Sequence, residues 1–326
     1  MRILFVTANR VGDAVLSSGL YAHLARTHPD ARFTVAAGPA AASLFAAAPG
    51  LERMIEIRKR RGGRHWWDLW RECAGTRWDM VVDLRRSALA WTLRAGARRI
   101  VPKPSALERD GRVHRVRLIA ATLGLEATPP DPVVWTGQAE ANAAARLMPG
   151  TGPVLALAPA ANWRGKEWRA ERFAELAQRL TAPDGILPGA RVAAIAAVGE
   201  RDQAAAALAA IPPARRIDLT GIPSLATVAA CLRRCALFVG NDSGLMHMAA
   251  AAGLPTLGLF GPSRTEHYAP WGPQAAALRT PESFEVLTGG PDYDHRTTGT
   301  LMDGLTVDTV EAAAAGLWRR VQRDAA

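Results

Sequence analysis

Gly240-Asn241-Asp242-Ser243-Gly244-Leu245-Met246-His247-Met248, followed by an alanine run to Ala252 and by Gly253-Leu254-Pro255-Thr256, decides how the whole chain is read. The apolar run Leu237-Phe238-Val239 before it predicts a strand, and Asn241 to Gly244 carries turn and N-cap chemistry. Leu245 to Ala252 predicts a helix stopped by Gly253 and Pro255, and Thr256 to Phe260 restarts a strand. A small-residue loop feeding a helix leaves the first backbone N–H groups free and sets the positive end of the helix dipole beside them. Such an arrangement receives phosphate. Asp242, Ser243, Gly244 and His247 fall within one turn of one another, so they can face one ligand.

The same strand-loop-helix rhythm extends outward in both directions. Ile3 to Thr7 is a continuous apolar strand, Gly12 permits a tight turn, and Asp13 begins a helix running to about Arg26. Arg32 to Ala37 and Met54 to Ile57 are further strands with a helix from Ala40 to Ala47 between them, and Met80 to Leu84 is another core strand. This alternation gives a parallel sheet covered on both faces, whose ligands sit at the carboxyl ends of the strands. Asp13 stands at such an end. In the second half, Val154 to Leu157, Arg191 to Val198 and Ile217 to Leu219 repeat the pattern, with Phe173, Leu176, Ala177 and Leu180 on the inward face of a helix. The fold class is therefore α/β, with two doubly wound Rossmann-like domains at 1–150 and 151–326 and a linker over 148–153. Helices are expected from about Val113 to Leu123 and from Gln138 to Leu147, with Pro129-Pro130-Asp131-Pro132 as a stiff surface connection. A final amphipathic helix is expected over Val307 to Val321 with Trp318 inward.

Composition narrows the class. With 326 residues, 49% hydrophobic and 21% charged, the chain has the makeup of an ordinary globular protein of two domains. No apolar run reaches the roughly eighteen residues that span a bilayer, and Ile3-Leu4-Phe5-Val6 is too short for a signal core, which points to a cytoplasmic protein. Cys73, Cys231 and Cys235 lack metal-ligand spacing and read as buried thiols of a reducing compartment. The net charge of +10 is confined to one half: residues 1–150 carry 23 Lys and Arg against 13 Asp and Glu, while 151–326 carry 17 of each. An N-terminal half of this kind meets something anionic.

The bases concentrate in Arg58-Lys59-Arg60-Arg61, which leads through Arg64 and His65 into Trp66, Trp67 and Trp70. A basic run beside aromatics suits a membrane surface or an anionic glycolipid, although Trp66, Trp70 and Cys73 share a helical face and read as core. Arg85 and Arg86 follow the strand 80–84, and Arg98, Arg99, Lys103, Arg109, Arg112, Arg115 and Arg117 come after, with His114 among them. No nucleic-acid module is visible. No Gly-x-Gly-x-x-Gly follows the first strand, which disfavours a dinucleotide-binding dehydrogenase. Asp292-Tyr293-Asp294 has the form of a metal motif but sits in a Gly-rich surface loop.

Asn241-Asp242-Ser243-Gly244-Leu245-Met246-His247, with Gly253-Leu254-Pro255 and Leu259-Phe260-Gly261-Pro262-Ser263 beyond it, closely resembles the family-nine glycosyltransferases, the ADP-heptose:lipopolysaccharide heptosyltransferases. Arg10-Val11-Gly12-Asp13 matches the family's Arg-x-Gly-Asp, and Lys166-Glu167-Trp168 its Lys-x-Trp. The loop before Lys166 departs from the common form, having Ala161 and Asn162 where hydroxyl side chains are usual. Taken alone, Asp13 reads as a helix cap, and a carboxylate there is a modest base until a substrate hydroxyl desolvates it. The resemblance implies the GT-B architecture, with an acceptor-binding domain and a donor domain facing across a cleft and the last helix crossing back to the first. It implies Asp13 as general base and Lys166 on the nucleotide phosphates. Asp242, Ser243, Gly244 and His247 would surround the diphosphate, Asn162 would add a contact, and Glu200 would hold the ribose. Arg10, Arg60, Arg61 and Arg85 are candidate acceptor contacts. The implied partners are an ADP-sugar, ADP-L-glycero-D-manno-heptose by resemblance, an anionic lipopolysaccharide-type acceptor and the inner membrane's cytoplasmic face, with neither metal nor cofactor and no nucleic acid. The alternatives are another GT-B nucleotide-sugar enzyme such as an epimerase, and a non-catalytic binder of anionic glycolipid.

Overall fold

The computed structural model describes residues 1–107, 113–291 and 293–324. Arg109, Arg112 and Asp292, singled out in the sequence, lie outside the described residues. Two compact units result: one comprises Met1–Gly137 with Ser224–Ala226, the other Gln138–Pro223 with Thr227–Ala326. The division falls at Gly137, not at 150. The helix Gln138–Leu147 is tied to the second unit through the backbone just beyond its end: Arg234 donates to the Met148 carbonyl at 3.4 Å, and Arg191 donates to that of Pro149.

The first unit is a five-stranded parallel sheet of β1 (Arg2–Val6), β2 (Arg32–Ala37), β3 (Leu51–Glu56), β4 (Trp78–Asp83) and β5 (Ala95–Ile100), in the order β3-β2-β1-β4-β5. Continuous apolar runs form β1 and β4 because both faces are covered, and Ile3, Leu4, Phe5, Val81 and Val82 are fully buried. β5 was not expected. Its Ala-Gly-Ala-Arg-Arg-Ile sequence suits an edge, and Arg98 turns its guanidinium inward to donate to the carbonyls of Ala90, Leu93 and Ala95.

Around this sheet several expectations change. Gly12 lies inside the helix Val11–Thr27 and makes no left-handed turn; the N-cap position is Arg10, which places Asp13 third in the helix. The helix expected over 40–47 is a short turn, Pro39–Ala42, continued by a 3-10 turn. In the helix Arg64–Cys73 the buried stripe is His65, Leu69 and Cys73, with Trp66 and Trp70 half-buried on its flank. The Pro129–Pro132 stretch packs down instead of lying free. A Cβ on Gly19 would meet the Pro130 carbonyl oxygen at 2.4 Å, and Ser18 Oγ accepts from the Val133 N–H at 2.8 Å.

The second unit is a six-stranded parallel sheet of β6 (Val154–Ala158), β7 (Arg191–Ala194), β8 (Arg216–Asp218), β9 (Leu237–Asn241), β10 (Thr256–Phe260) and β11 (Ala275–Arg279), in the order β11-β10-β9-β6-β7-β8. Phe173, Leu176, Ala177 and Leu180 are buried as expected. β7 ends at Ala194, earlier than its apolar run suggests, because its partner β8 has three residues only. The final helix, Val307–Asp324, lays Val310, Ala314, Leu317 and Val321 into this unit's own core, with Trp318 half-buried against it. Among the described residues no helix is long and apolar enough to cross a membrane.

Candidate active site

In an open parallel sheet, ligands collect where the strand order reverses, outside the carboxyl ends of the two strands flanking that point. In the second unit these strands are β6 and β9. Asn241, fully buried at the end of β9, joins them: its Nδ2 donates to the Pro159 carbonyl at 2.7 Å, and its Oδ1 accepts from the Trp168 N–H at 3.0 Å. Trp168 is itself buried and donates from Nε1 to the Leu305 carbonyl at 2.9 Å. The loop 159–168 is thus held at both ends. Lys166 leaves it to reach the next residue of β9's exit, and its Nζ lies 2.5 Å from Asp242 Oδ2. Asp242 is 5% exposed.

Immediately after Asp242, Ser243 takes the extended N-cap conformation (φ −149°, ψ 171°) and the helix Gly244–Ala251 begins. The Ser243 side chain does not cap the helix, and its buried Oγ has no hydrogen-bond partner among the described residues. The helix is seated against β10 by Met246, whose Sδ lies where a Cβ on Gly258 would stand, 2.3 Å away, so only glycine permits this approach. An ammonium, the free N–H groups of a helix start and an uncommitted hydroxyl therefore share one sheet edge, an arrangement that receives anions. His247 is buried on the same helix with its ring 6.5 Å from that of Tyr268.

Carboxylates occupy the neighbouring loops. Glu167 Oε1 accepts from the Ala161 N–H at 3.2 Å. Burial pushes its carboxyl up from the ordinary value; the Ala161 hydrogen bond opposes the rise, and the nearby Glu200 carboxylate adds to it. Glu200 follows β7 and accepts from the Ala197 N–H at 2.9 Å, while Asn162 is exposed. Sequence reading singled out neither Asn241 nor Glu167 as a site residue, although both sit inside motifs it quoted.

In the first unit the order reverses between β1 and β4. Asn9 and Arg85, which follow these strands, are joined there by a 2.6 Å hydrogen bond from Arg85 Nη1 to Asn9 Oδ1. The guanidinium also lies over the Trp66 ring at 5.1 Å. Asp83, fully buried, fixes the turn that carries Arg85 by accepting from the Arg85 and Ser87 N–H groups, each at 2.8 Å, and from Ser87 Oγ at 2.7 Å. Burial pulls the Arg85 guanidinium below its ordinary value, while the Asp83 and Asp13 carboxylates raise it. Asp13 stands at the same edge, paired with Arg115 at 3.4 Å between Nε and Oδ1.

The remaining candidates disperse. Arg10 is exposed; Arg60 pairs with Asp68 at 3.2 Å and lines a cavity of about 490 Å³ with His65, Leu69 and Arg58, whereas Arg61 projects outward. Arg58 is held by Glu56 at 2.6 Å. Cys73 and Cys231 are buried and Cys235 is half-buried, all as free thiols. Tyr293 packs edge-on to Trp163 with centroids 6.2 Å apart, and among the described residues no group of three or more metal-ligating side chains gathers.

Comparison with known proteins agrees with this layout. The family model for glycosyltransferase family 9 (heptosyltransferase) matches residues 67–286. Lipopolysaccharide heptosyltransferase 2 of Salmonella typhimurium is 25% identical over 328 residues, covering 89% of this chain and 91% of its own. The solved structure of E. coli ADP-heptose lipopolysaccharide heptosyltransferase II has a TM-score of 0.76 at 20% identity, covering 99% of this chain and 100% of its own. That of E. coli heptosyltransferase WaaC with ADP has a TM-score of 0.72 at 17% identity, covering 97% and 100%. These likenesses give the two-sheet fold its class, GT-B. The chain belongs to glycosyltransferase family 9, the heptosyltransferases.

Proposed function

We propose that this protein is an inverting heptosyltransferase that moves a heptose from an ADP-sugar to an anionic lipopolysaccharide-core acceptor. The observation that carries the reading is the Lys166–Asp242 pair at the start of the helix Gly244–Ala251, on the reversal point of the second sheet. The second unit takes the donor and the first the acceptor. Asp13 removes the proton of the acceptor hydroxyl, and that oxygen attacks the anomeric carbon. The bond from this carbon to the diphosphate breaks, with its electron pair leaving on the diphosphate. Lys166, the Gly244 helix start and the Ser243 hydroxyl neutralise the charge that develops there. Asp242 has a separate task. A carboxylate facing a diphosphate would repel it, whereas one that holds Lys166 fixes the ammonium's position.

Glu200 and Glu167 supply acceptors for the ribose hydroxyls from the neighbouring loops, and Asn162 and His247 contribute at the rim of the same site. The relatives' names supply the chemistry of both substrates: a lipopolysaccharide heptosyltransferase among the curated proteins, and a heptosyltransferase solved with ADP. We place the protein in the cytoplasm, peripheral to the inner membrane. The excess charge of residues 1–150 supports this, as do the outward-facing bases Lys59 and Arg61 and the exposed Trp67 and Trp91. Of the basic candidates Arg10, Arg60, Arg61 and Arg85, Arg85 is assigned to the acceptor, because it stands at the reversal point of the first sheet.

Calorimetry with ADP-, UDP- and GDP-sugars tests the donor assignment. Binding confined to the ADP-sugars is expected, and a preference for UDP- or GDP-sugars would overturn it.

A further inference from the structure

Asp13 has the position of a helix cap but not its bonds. As third residue of the helix Val11–Thr27 it would ordinarily reach back to the N-cap N–H. No such capping bond is formed, and among the described residues its buried Oδ1 has no hydrogen-bond partner. Among the described residues its ion-pair partner is Arg115, with Nε 3.4 Å from Oδ1; both atoms are buried and neither completes a hydrogen bond. The Asp13 and Arg115 side chains keep 20% and 31% exposure respectively, so each retains an open edge.

Arg115 is held from its own side as well. It opens the helix Arg115–Ala120, which packs on the helix Val11–Thr27, and His114 caps that helix by accepting the Val116 N–H on Nδ1 at 3.2 Å. A second cation near this edge, Arg85, is bound to Asn9, stacked on Trp66 and carried on the Asp83 turn. Arg10, next to Asp13's own helix, is exposed. Of these three, Arg115 is the one in ion-pair contact with Asp13.

We infer that Arg115 is a positioning residue for proton removal, splinting Asp13 through its Nε edge so that the second carboxylate oxygen is aimed at the acceptor hydroxyl. This inference rests on the proposed transfer reaction. The planar guanidinium fork sets an orientation that a lysine's point charge does not. A base misplaced by about 1 Å costs roughly a hundredfold in rate, so a splint acts on turnover and hardly on binding.

The test is a double-mutant cycle with ADP-heptose and a heptose-free lipopolysaccharide precursor, using wild type, Arg115→Gln, Asp13→Asn and the double variant. Arg115→Gln should lower kcat by about ten- to a hundredfold, with acceptor KM and ADP affinity within about twofold. The double variant should be no slower than Asp13→Asn by more than about twofold, because a residue that acts through Asp13 has nothing left to position. Arg115→Lys should fall between Gln and wild type, and it replaces Gln if the latter lowers the thermal midpoint. An additive loss in the double variant, or an Arg115→Gln enzyme of unchanged kcat, would overturn the inference while leaving the base assignment standing. Wild-type turnover by Asp13→Asn would remove the base assignment and the inference with it.

Discussion

The Lys166–Asp242 pair gives a prediction whose sign differs between its two members. Asp242 is buried and the Lys166 side chain is 21% exposed, so the pair lies between two regimes. Breaking a fully buried pair costs about 3–5 kcal/mol, and an exposed one is worth up to about 1; here about 1–3 kcal/mol of folding stability is at stake in either single variant. Their effects on ligand diverge. Lys166→Met removes the cation that meets the departing diphosphate, and losing one such group typically lowers kcat by about 10²–10³, or roughly 3–4 kcal/mol. ADP affinity should fall as well. Asp242→Asn instead removes a negative charge beside the same diphosphate and leaves the ammonium unneutralised next to a helix start. The variant should be less stable alone, bind ADP at least as tightly as wild type, and turn over more slowly because Lys166 is no longer held. In a thermal-shift titration, the rise produced by saturating ADP should be largest in Asp242→Asn, intermediate in wild type and smallest in Lys166→Met. The reverse order, or equal losses of ADP response in both variants, would refute the division of labour between the two residues.

Vesicles containing anionic lipid should bind the protein and release it as salt rises. Replacing Lys59 and Arg61 with Ser should cost about 2 kcal/mol of that binding, more than replacing Arg58 and Arg60, which Glu56 and Asp68 already neutralise; equal binding to neutral vesicles would sink the membrane assignment. Gly19→Ala should destabilise by about 1–3 kcal/mol in urea unfolding, since its new methyl meets the Pro130 backbone, and unchanged stability would mean that the 129–133 stretch moves freely. Burial pushes the Cys73 thiol up to about 12 and the Cys231 thiol up to about 11. Both therefore stay protonated at pH 8, and a thiol reagent that modifies the denatured chain fully should spare them in the native one.

How much of the fold the sequence disclosed depends on the range of the interactions involved. β1, β2, β4, β6, β9 and β10 were legible because a strand buried on both faces leaves a continuous apolar run, as in Ile3-Leu4-Phe5-Val6 or Leu237-Phe238-Val239. β5 and β11 were not: their residues are half-buried or exposed, so neither leaves a continuous run of large apolar side chains, and β5 carries Arg98 and Arg99. The start of the helix Gly244–Ala251 was legible from turn residues alone, one residue earlier than expected. In the helix Arg64–Cys73 the stripe read through Trp66, Trp70 and Cys73 does meet the core, Cys73 buried and the two tryptophans half-buried against it, while His65 and Leu69 complete the buried face.

The site divides along the same line. Each of its motifs is local, and each was visible; the partners of its charged groups are not local, and composition could not name them. Lys166 and Asp242 are 76 residues apart, as are Asn9 and Arg85, and each pair meets because the chain crosses over at the reversal point of a sheet. Nothing in Lys166-Glu167-Trp168 specifies a carboxylate partner. Arg115 is the sharper case, being one base among seven between Arg98 and Arg117 with nothing in its neighbours to distinguish it. What selects it is the packing of the helix Arg115–Ala120 on the helix that carries Asp13. A sequence therefore exposes the groups that bring chemistry to a site well before it exposes the groups that aim them, since the former are written in short motifs and the latter in topology.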